Sequence, residues 1–215
     1  MMLSGGPPDT HSYQWMTSLK YVNMTGNSTS KTTTKPVNDF IRVYDEVLTN
    51  DECEKLRLTF DTSKGQLRVD NNVIHFTELN LNEHCKSLVP SLVSVTREVL
   101  EQYKFDVWES KFFPTNQLAM EQFRIKCYNT DGKDQFDTHV DVGNYLSSRR
   151  YLAFLYYLND DFEGGETSFI PGIPVSPTQG SVVVFPPFWM FPHQGKPVTS
   201  GPSKKYIMST YLHYT

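Results

Sequence analysis

The segment THVDVGNY, residues 138–145, closes a run built like a β-strand and carries two metal-competent side chains, His139 and Asp141, two positions apart. Alternate residues of a strand point to one side, so both can face one interior and grip a single ion. A third ligand is needed. His193 is the best candidate, because it lies just past the apolar strand SVVVFPP and before another strand, a placement that lets an antiparallel neighbour return beside His139. Two imidazoles and one carboxylate on one face of a metal leave the other face open for ligands and oxygen, as in non-haem Fe(II) oxygenases. The bland alternative for the H-x-D pair is two polar residues on the wet face of a sheet.

A second signal lies downstream, in HQGKPVTSGPSKKYIMSTYL, where a turn-forming stretch delivers Lys205 to the start of a strand. A cation there can face the same cavity and pair with a carboxylate on a cosubstrate. Lys204 is the competing assignment. Glu166 in GGETSF reads as the structural start of a strand, and His75, His84 and His213 have no partner at metal-ligand spacing. The run PPFWMFP, residues 186–192, reads as an irregular hydrophobic wall at the cavity mouth. Arg149 and Arg150 follow the VGNYLSS loop, where they either contact substrate or are simply solvated.

The elements that must position these groups are legible along the chain. Thr49 and Glu52 form a capping box with Leu48 able to staple against Cys53, so a helix is expected from there to about Phe60. A second helical stretch, about 81–104, carries Leu88, Leu92, Val95, Val99 and Tyr103 at helical steps, with Pro90 marking a break or a first turn. From Gln122 the period becomes two, and six β segments follow: QFRIKCYN, DTHVD, RRYLAFLYYLN, GGETSFI, GSVVVFPP and KKYIMSTYLHY. Helices followed by strands predict an α+β domain whose helices cover one face of a β-sandwich or jelly roll. Loops 62–80, 106–118 and 142–150 are the candidate lids.

The chain has 215 residues, 38% hydrophobic and 13% aromatic, enough for one sizeable core. Residues 1–36 are rich in Ser, Thr, Gly and Asn and read as a flexible tail or an added edge strand, leaving 37–215 as a single domain. A net charge of −4 gives no general attraction to nucleic acid or to an anionic membrane. Three scattered cysteines, Cys53, Cys85 and Cys127, suggest neither a disulfide framework nor a zinc knuckle. With no apolar core in the first twenty residues and no spanning segment, the expectation is a soluble, intracellular, cytoplasmic protein.

Taken in order, Tyr128, THVD, YYLND, EGGETSF, HQGKPV and SGPSKKY resemble the catalytic core of the Fe(II)- and 2-oxoglutarate-dependent dioxygenases, most closely the prolyl 4-hydroxylase-like branch. The likeness spans about residues 122–214. It implies a double-stranded β-helix (jelly-roll) core over about 122–215, supported by helices over about 49–104. It implies His139, Asp141 and His193 as the catalytic iron ligands. Lys205, with Tyr128 and Tyr157, would line the 2-oxoglutarate pocket. It also implies Fe(II), 2-oxoglutarate, O2 and ascorbate as reactants, and hydroxylation of a prolyl residue of a peptide or protein with release of succinate and CO2. A free amino acid or small molecule is the alternative substrate. Lys205 follows His193 by twelve positions, a wider spacing than the family's, and Tyr206 and Tyr211 fall where the family's last strand expects aromatics. Two other readings stay beside this one: a non-catalytic jelly-roll adaptor that keeps the metal triad, and a zinc hydrolase, which would leave Lys205 unexplained.

Overall fold

The computed structural model describes residues 34–107, 113–114, 118–170 and 172–215. Residues 1–33, most of the segment read as a tail or added edge, lie outside the described residues. Its last three, Thr34–Pro36, form strand β1, which pairs antiparallel with β2 (Arg42–Tyr44).

Helix α1, Asn50–Thr62, begins where its cap is written: the Thr49 side chain accepts from the Glu52 amide, and the Glu52 carboxylate accepts from the Thr49 amide. Leu48 and Cys53 are both buried in the same core. The second helical stretch is three pieces: α2 (Leu81–His84), a 3₁₀ turn (Lys86–Leu88) and α3 (Val89–Asp106). Pro90 stands in the first turn of α3, where its missing N–H costs nothing, and so starts the helix rather than kinking it. No described helix is long and apolar enough to cross a membrane.

The remaining strands are β3 (Leu67–Asp70), β4 (Ile74–Asn80), β5 (Leu118–Met120), β6 (Arg124–Tyr128), β7 (Gln135–His139), β8 (Arg150–Tyr157), β9 (Glu163–Gly164), β10 (Thr167–Phe169), β11 (Ile173–Val175), β12 (Val182–Phe185), β13 (His193–Gly195), β14 (Val198–Ser200) and β15 (Lys205–Tyr214). Most join one antiparallel sheet in the order β1-β2-β12-β8-β15-β6-β4-β7-β13-β10-β11, with β3 on β4 and β5 on β15, while β9 and β14 pair separately. The sheet curls into a double-stranded β-helix, an α+β jelly roll. Its two faces follow from strand alternation. Ile125, Phe154, Tyr156, Val182, Val184 and Met208 point to one side and share a core with Leu56 and Phe60 of α1 and Leu92, Val99 and Tyr103 of α3. Tyr128, Ala153, Tyr157, Val183 and Ile207 point to the other side and form the inner cluster. Thr96 ties α3 to the sheet through a 2.7 Å hydrogen bond to the Tyr156 hydroxyl.

Two expectations about the strands change. Residues 62–80, read as a lid loop, hold the end of α1 and the β3–β4 hairpin, and β4 pairs with both β6 and β7 inside the sheet. Its polar composition hid the strand because its only buried apolar residues are Phe76 in the inner cluster and Leu79 in the helix-side core, one on each face. GGETSFI is split, because Gly164, which ends β9, and Gly165, which follows it, adopt positive φ before β10.

Two local contacts fix the scaffold. Asp134, buried under the turn after β6, accepts two bonds from Arg68 at 2.7 and 3.0 Å and two from Asn129 at 2.8 and 2.9 Å. Gly180 has φ +81°, and a Cβ there would lie 2.3 Å from the Leu48 carbonyl oxygen, whose residue leads into the cap of α1. Gly180→Ala is expected to destabilise the fold by about 2 kcal/mol or more in thermal unfolding, from strain and clash together. Burial pushes the Asp134 carboxyl up, but its bonds to Arg68 and Asn129 outweigh this and hold it below the ordinary 3.8. Its stabilisation is therefore present above that value and fades as pH falls below it. Asp134→Asn is expected to cost about 2 kcal/mol in urea unfolding at neutral pH; a loss that does not shrink in acid would contradict this account.

Candidate active site

β7 ends on His139 and β13 begins on His193, and the antiparallel register sets the two residues directly opposite each other. On its other side His193 pairs with Phe169 of β10. Asp141 is not on the strand; it lies two residues beyond β7, in a bend. That bend is held where Arg150 donates to the Asp141 carbonyl at 3.2 Å and the Val142 amide donates to Pro187 at 3.1 Å. The ligand atoms of His139, Asp141 and His193 all lie within 4.8 Å of one another. The Nε2 atoms of His139 and His193 stand 3.4 and 3.6 Å from the Asp141 carboxylate.

The rings are oriented for this. His139 Nδ1 lies 2.7 Å from the Asp137 carbonyl and His193 Nδ1 lies 3.1 Å from the Phe191 carbonyl. A carbonyl only accepts, so each ring carries its proton on Nδ1 and turns the Nε2 lone pair toward Asp141. Burial pushes the His193 imidazole down, with the Asp141 carboxylate pulling the other way. Burial alone would push Asp141 up, but the His139 and His193 imidazoles beside it and the field of Lys126 hold its carboxyl down at about 2. The Tyr211 hydroxyl donates to Asp141 at 3.0 Å. Phe136 stacks on the His139 ring at 3.4 Å, and Phe185 meets the His193 ring edge-on at 4.8 Å. Two imidazole nitrogens and one carboxylate oxygen, held in an apolar collar, are the donor set that suits a divalent non-haem iron.

The same cavity is lined by Lys205, Tyr128, Thr167, Ile207 and Lys126. Lys205 is 1% exposed; its ammonium donates to the Gly165 carbonyl at 2.7 Å and sits 4.8 Å from the centre of the Tyr128 ring. Gly165 has φ +70°, and a Cβ on it would press within 3.1 Å of the Lys205 side chain. Burial pushes the Lys205 ammonium down to about 7, with Glu166 pulling it up and Lys126 pushing it further down. Among the described residues no carboxylate is within ion-pair distance of it. Neighbouring strand residues face opposite sides, and Lys204 is exposed. Tyr157 is fully buried in the inner cluster, and its hydroxyl donates to Thr167, a residue of the cavity lining, at 2.7 Å.

Arg150 binds Glu121 through two bonds of 2.7 and 2.8 Å and lies 4.0 Å over the Tyr211 ring, so it braces the Asp141 bend. His75 bonds Asp70 at 2.8 Å. In PPFWMFP, Phe191 packs on the inner cluster while Trp189 and Met190 are 77% and 54% exposed. Sequence reasoning passed over Lys126, Phe136 and the bond from Tyr211 to Asp141. Parity offered a signal for Lys126 alone: it stands two residues before Tyr128 in RIKCY and so faces the same way.

Residues 123–213 match the family model of the 2OG-Fe(II) oxygenase superfamily. No match is found among curated proteins. Among solved structures, the chain is similar to a viral collagen prolyl hydroxylase from Paramecium Bursaria Chlorella virus-1, in its 2-oxoglutarate complex, at 19% identity and TM-score 0.63 over 82% of this chain and 97% of that one. It is also similar to a Trichoplax adhaerens prolyl hydroxylase in complex with a hypoxia inducible factor oxygen degradation domain peptide fragment, at 15% identity and TM-score 0.66 over 81% and 84%. A Pseudomonas putida prolyl-4-hydroxylase matches at 15% identity and TM-score 0.58 over 81% and 92%. At these identities the structures speak for the fold, which is that of prolyl hydroxylases. Residues 123–213 therefore read as a 2OG-Fe(II) oxygenase domain, and with the fold they support an Fe(II)/2-oxoglutarate dioxygenase enzyme.

Proposed function

We propose that His139, Asp141 and His193 hold the ferrous ion, that Lys205 pairs with the distal carboxylate of 2-oxoglutarate, and that the enzyme hydroxylates an unactivated C–H bond of a prolyl residue in a peptide or protein, releasing succinate and CO2. The observation that carries this reading is the pairing of a converged His–Asp–His donor set with a buried lysine that, among the described residues, has no carboxylate at ion-pair distance. When bound, the iron supplies the oxygen chemistry that couples decarboxylation of 2-oxoglutarate to hydroxylation.

The chain's own groups do the rest. The Asp137 and Phe191 carbonyls keep both imidazoles in the metal-binding tautomer. The Gly165 carbonyl and the Tyr128 ring hold the Lys205 ammonium in place until a carboxylate arrives. The Tyr128 phenol, pushed up by burial, stays neutral and offers a hydrogen bond into the cavity. Phe136, Phe185 and Ile207 exclude water around the reacting groups. Prolyl chemistry on a peptide is supported by the fold's likeness to enzymes solved as collagen and hypoxia-factor prolyl hydroxylases. Ascorbate as the sustaining reductant belongs to the same proposal.

Succinate and CO2 release from 2-oxoglutarate, measured with Fe(II) and ascorbate under air, is expected from the wild type and stimulated by a proline-containing peptide. His139→Ala is expected to abolish both turnover and the rise in Tm that Fe(II) or Mn(II) gives anaerobically; retained turnover would sink the ligand assignment. Lys205→Met is expected to weaken 2-oxoglutarate roughly 10- to 100-fold in calorimetry, the loss of one charge-assisted pair. The same variant should raise the Tm of the metal-free protein, because a buried charge without an acid is removed. Since the free cavity holds Lys205 at about 7 and the bound carboxylate favours the protonated form, affinity should fall as pH rises above that value, and Lys205→Arg should flatten the profile.

A further inference from the structure

Lys126 is the cavity residue that the cosubstrate leaves without a task. It stands on β6 with Tyr128, on the same face, and lines the space shared by the two histidines and Lys205. Its ammonium lies 5.4 Å from the centre of the Phe76 ring and 5.9 Å from that of Phe136. Among the described residues no hydrogen bond or ion pair joins it. The acids whose fields reach it are already committed: Asp141 faces the two imidazoles, and Glu78 accepts from Arg124 at 2.8 Å. Lys126 is half-buried, and an ammonium partly withdrawn from water and held beside ring faces with no ion pair recovers only part of its lost hydration. Burial accordingly pushes its pKa down, with Asp141 and Glu78 pulling the other way.

Position separates it from the cosubstrate lysine. Phe136, which touches the Lys126 ammonium, stacks on His139, so Lys126 stands on the His139 side of the ligand set. Lys205 stands against the Gly165 carbonyl, over Tyr128. Charge gives the same answer. Two ammoniums and a divalent ion, set against one aspartate and one dicarboxylate, leave one positive charge uncompensated in a cavity with apolar walls, where such a charge is costly.

We propose that Lys126 anchors a carboxylate of the molecule that is hydroxylated, so that the primary substrate is an acidic one. This rests on the iron and 2-oxoglutarate reading above. The carboxylate has two possible sources, an acidic side chain beside the target residue of a peptide or the free carboxylate of an amino acid, and the same titration distinguishes them.

Calorimetric titration of the full chain, loaded with Zn(II) in place of Fe(II) and saturated with 2-oxoglutarate, reads binding without turnover. The probes are acetyl-Pro-Glu-amide, acetyl-Pro-Gln-amide and free L-proline. One of the two carboxylate probes is expected to bind at least about ten-fold more tightly than the glutamine amide, Lys126→Met to erase that difference and Lys126→Arg to keep it. Both variants should keep 2-oxoglutarate affinity within about two-fold of wild type. Preference for the acidic peptide assigns the carboxylate to a neighbouring side chain; preference for free proline assigns it to the amino acid itself. Equal binding of all three probes, or a preference that survives Lys126→Met, overturns the inference and leaves the iron reading standing. So does loss of 2-oxoglutarate affinity in Lys126→Met, which would make Lys126 a second cosubstrate anchor. Failure of 2-oxoglutarate to bind the Zn(II)-loaded wild type overturns both.

Discussion

The antiparallel pairing of β13 with β7 sets His193 across from His139, and every other feature of the cavity is arranged around that contact. Cross-strand neighbours sit close enough for their rings to approach to 4.3 Å, so one ion can be reached from both. The pairing also needs support on both sides. β10 holds the far edge of β13, and β4 holds the far edge of β7, so neither histidine stands on a free sheet edge.

Burial and charge then act together. Apolar rings around the triad raise the cost of any unpaired charge, which pushes His193 down and makes the Tyr211 hydrogen bond to Asp141 worth more than it would be in water. The same walls leave two lysine ammoniums poorly compensated. A site that holds cations at a cost is a site whose affinity for anions is prepared in advance. The sheet tolerates this because its other face carries the stability: α1 and α3 bury the opposite rows of the same strands in an apolar core.

The family itself was legible from short motifs in order, and so was the division of the chain into supporting helices and a β unit. The capping box at Thr49 and the helical spacing of Leu92, Val99 and Tyr103 are local signals that the tertiary structure keeps. The β3–β4 hairpin escaped because its strand is polar on one face and lies among turn residues. Lys126 escaped because a lysine on a strand ordinarily reads as solvent-facing.

The sequence by itself determined which residue types could bind a metal and a carboxylate and the strand alternation of the core, because alternation is local, and it left Lys204 beside Lys205 as a competing assignment. Only the tertiary structure decided that Asp141 meets the histidines from a bend beyond its strand, braced by Arg150 and Pro187, and that the Tyr157 hydroxyl bonds Thr167 of the cavity lining. Those outcomes depend on register and on contacts between residues distant along the chain. Spacing along one strand carries no record of what its neighbours will place opposite it.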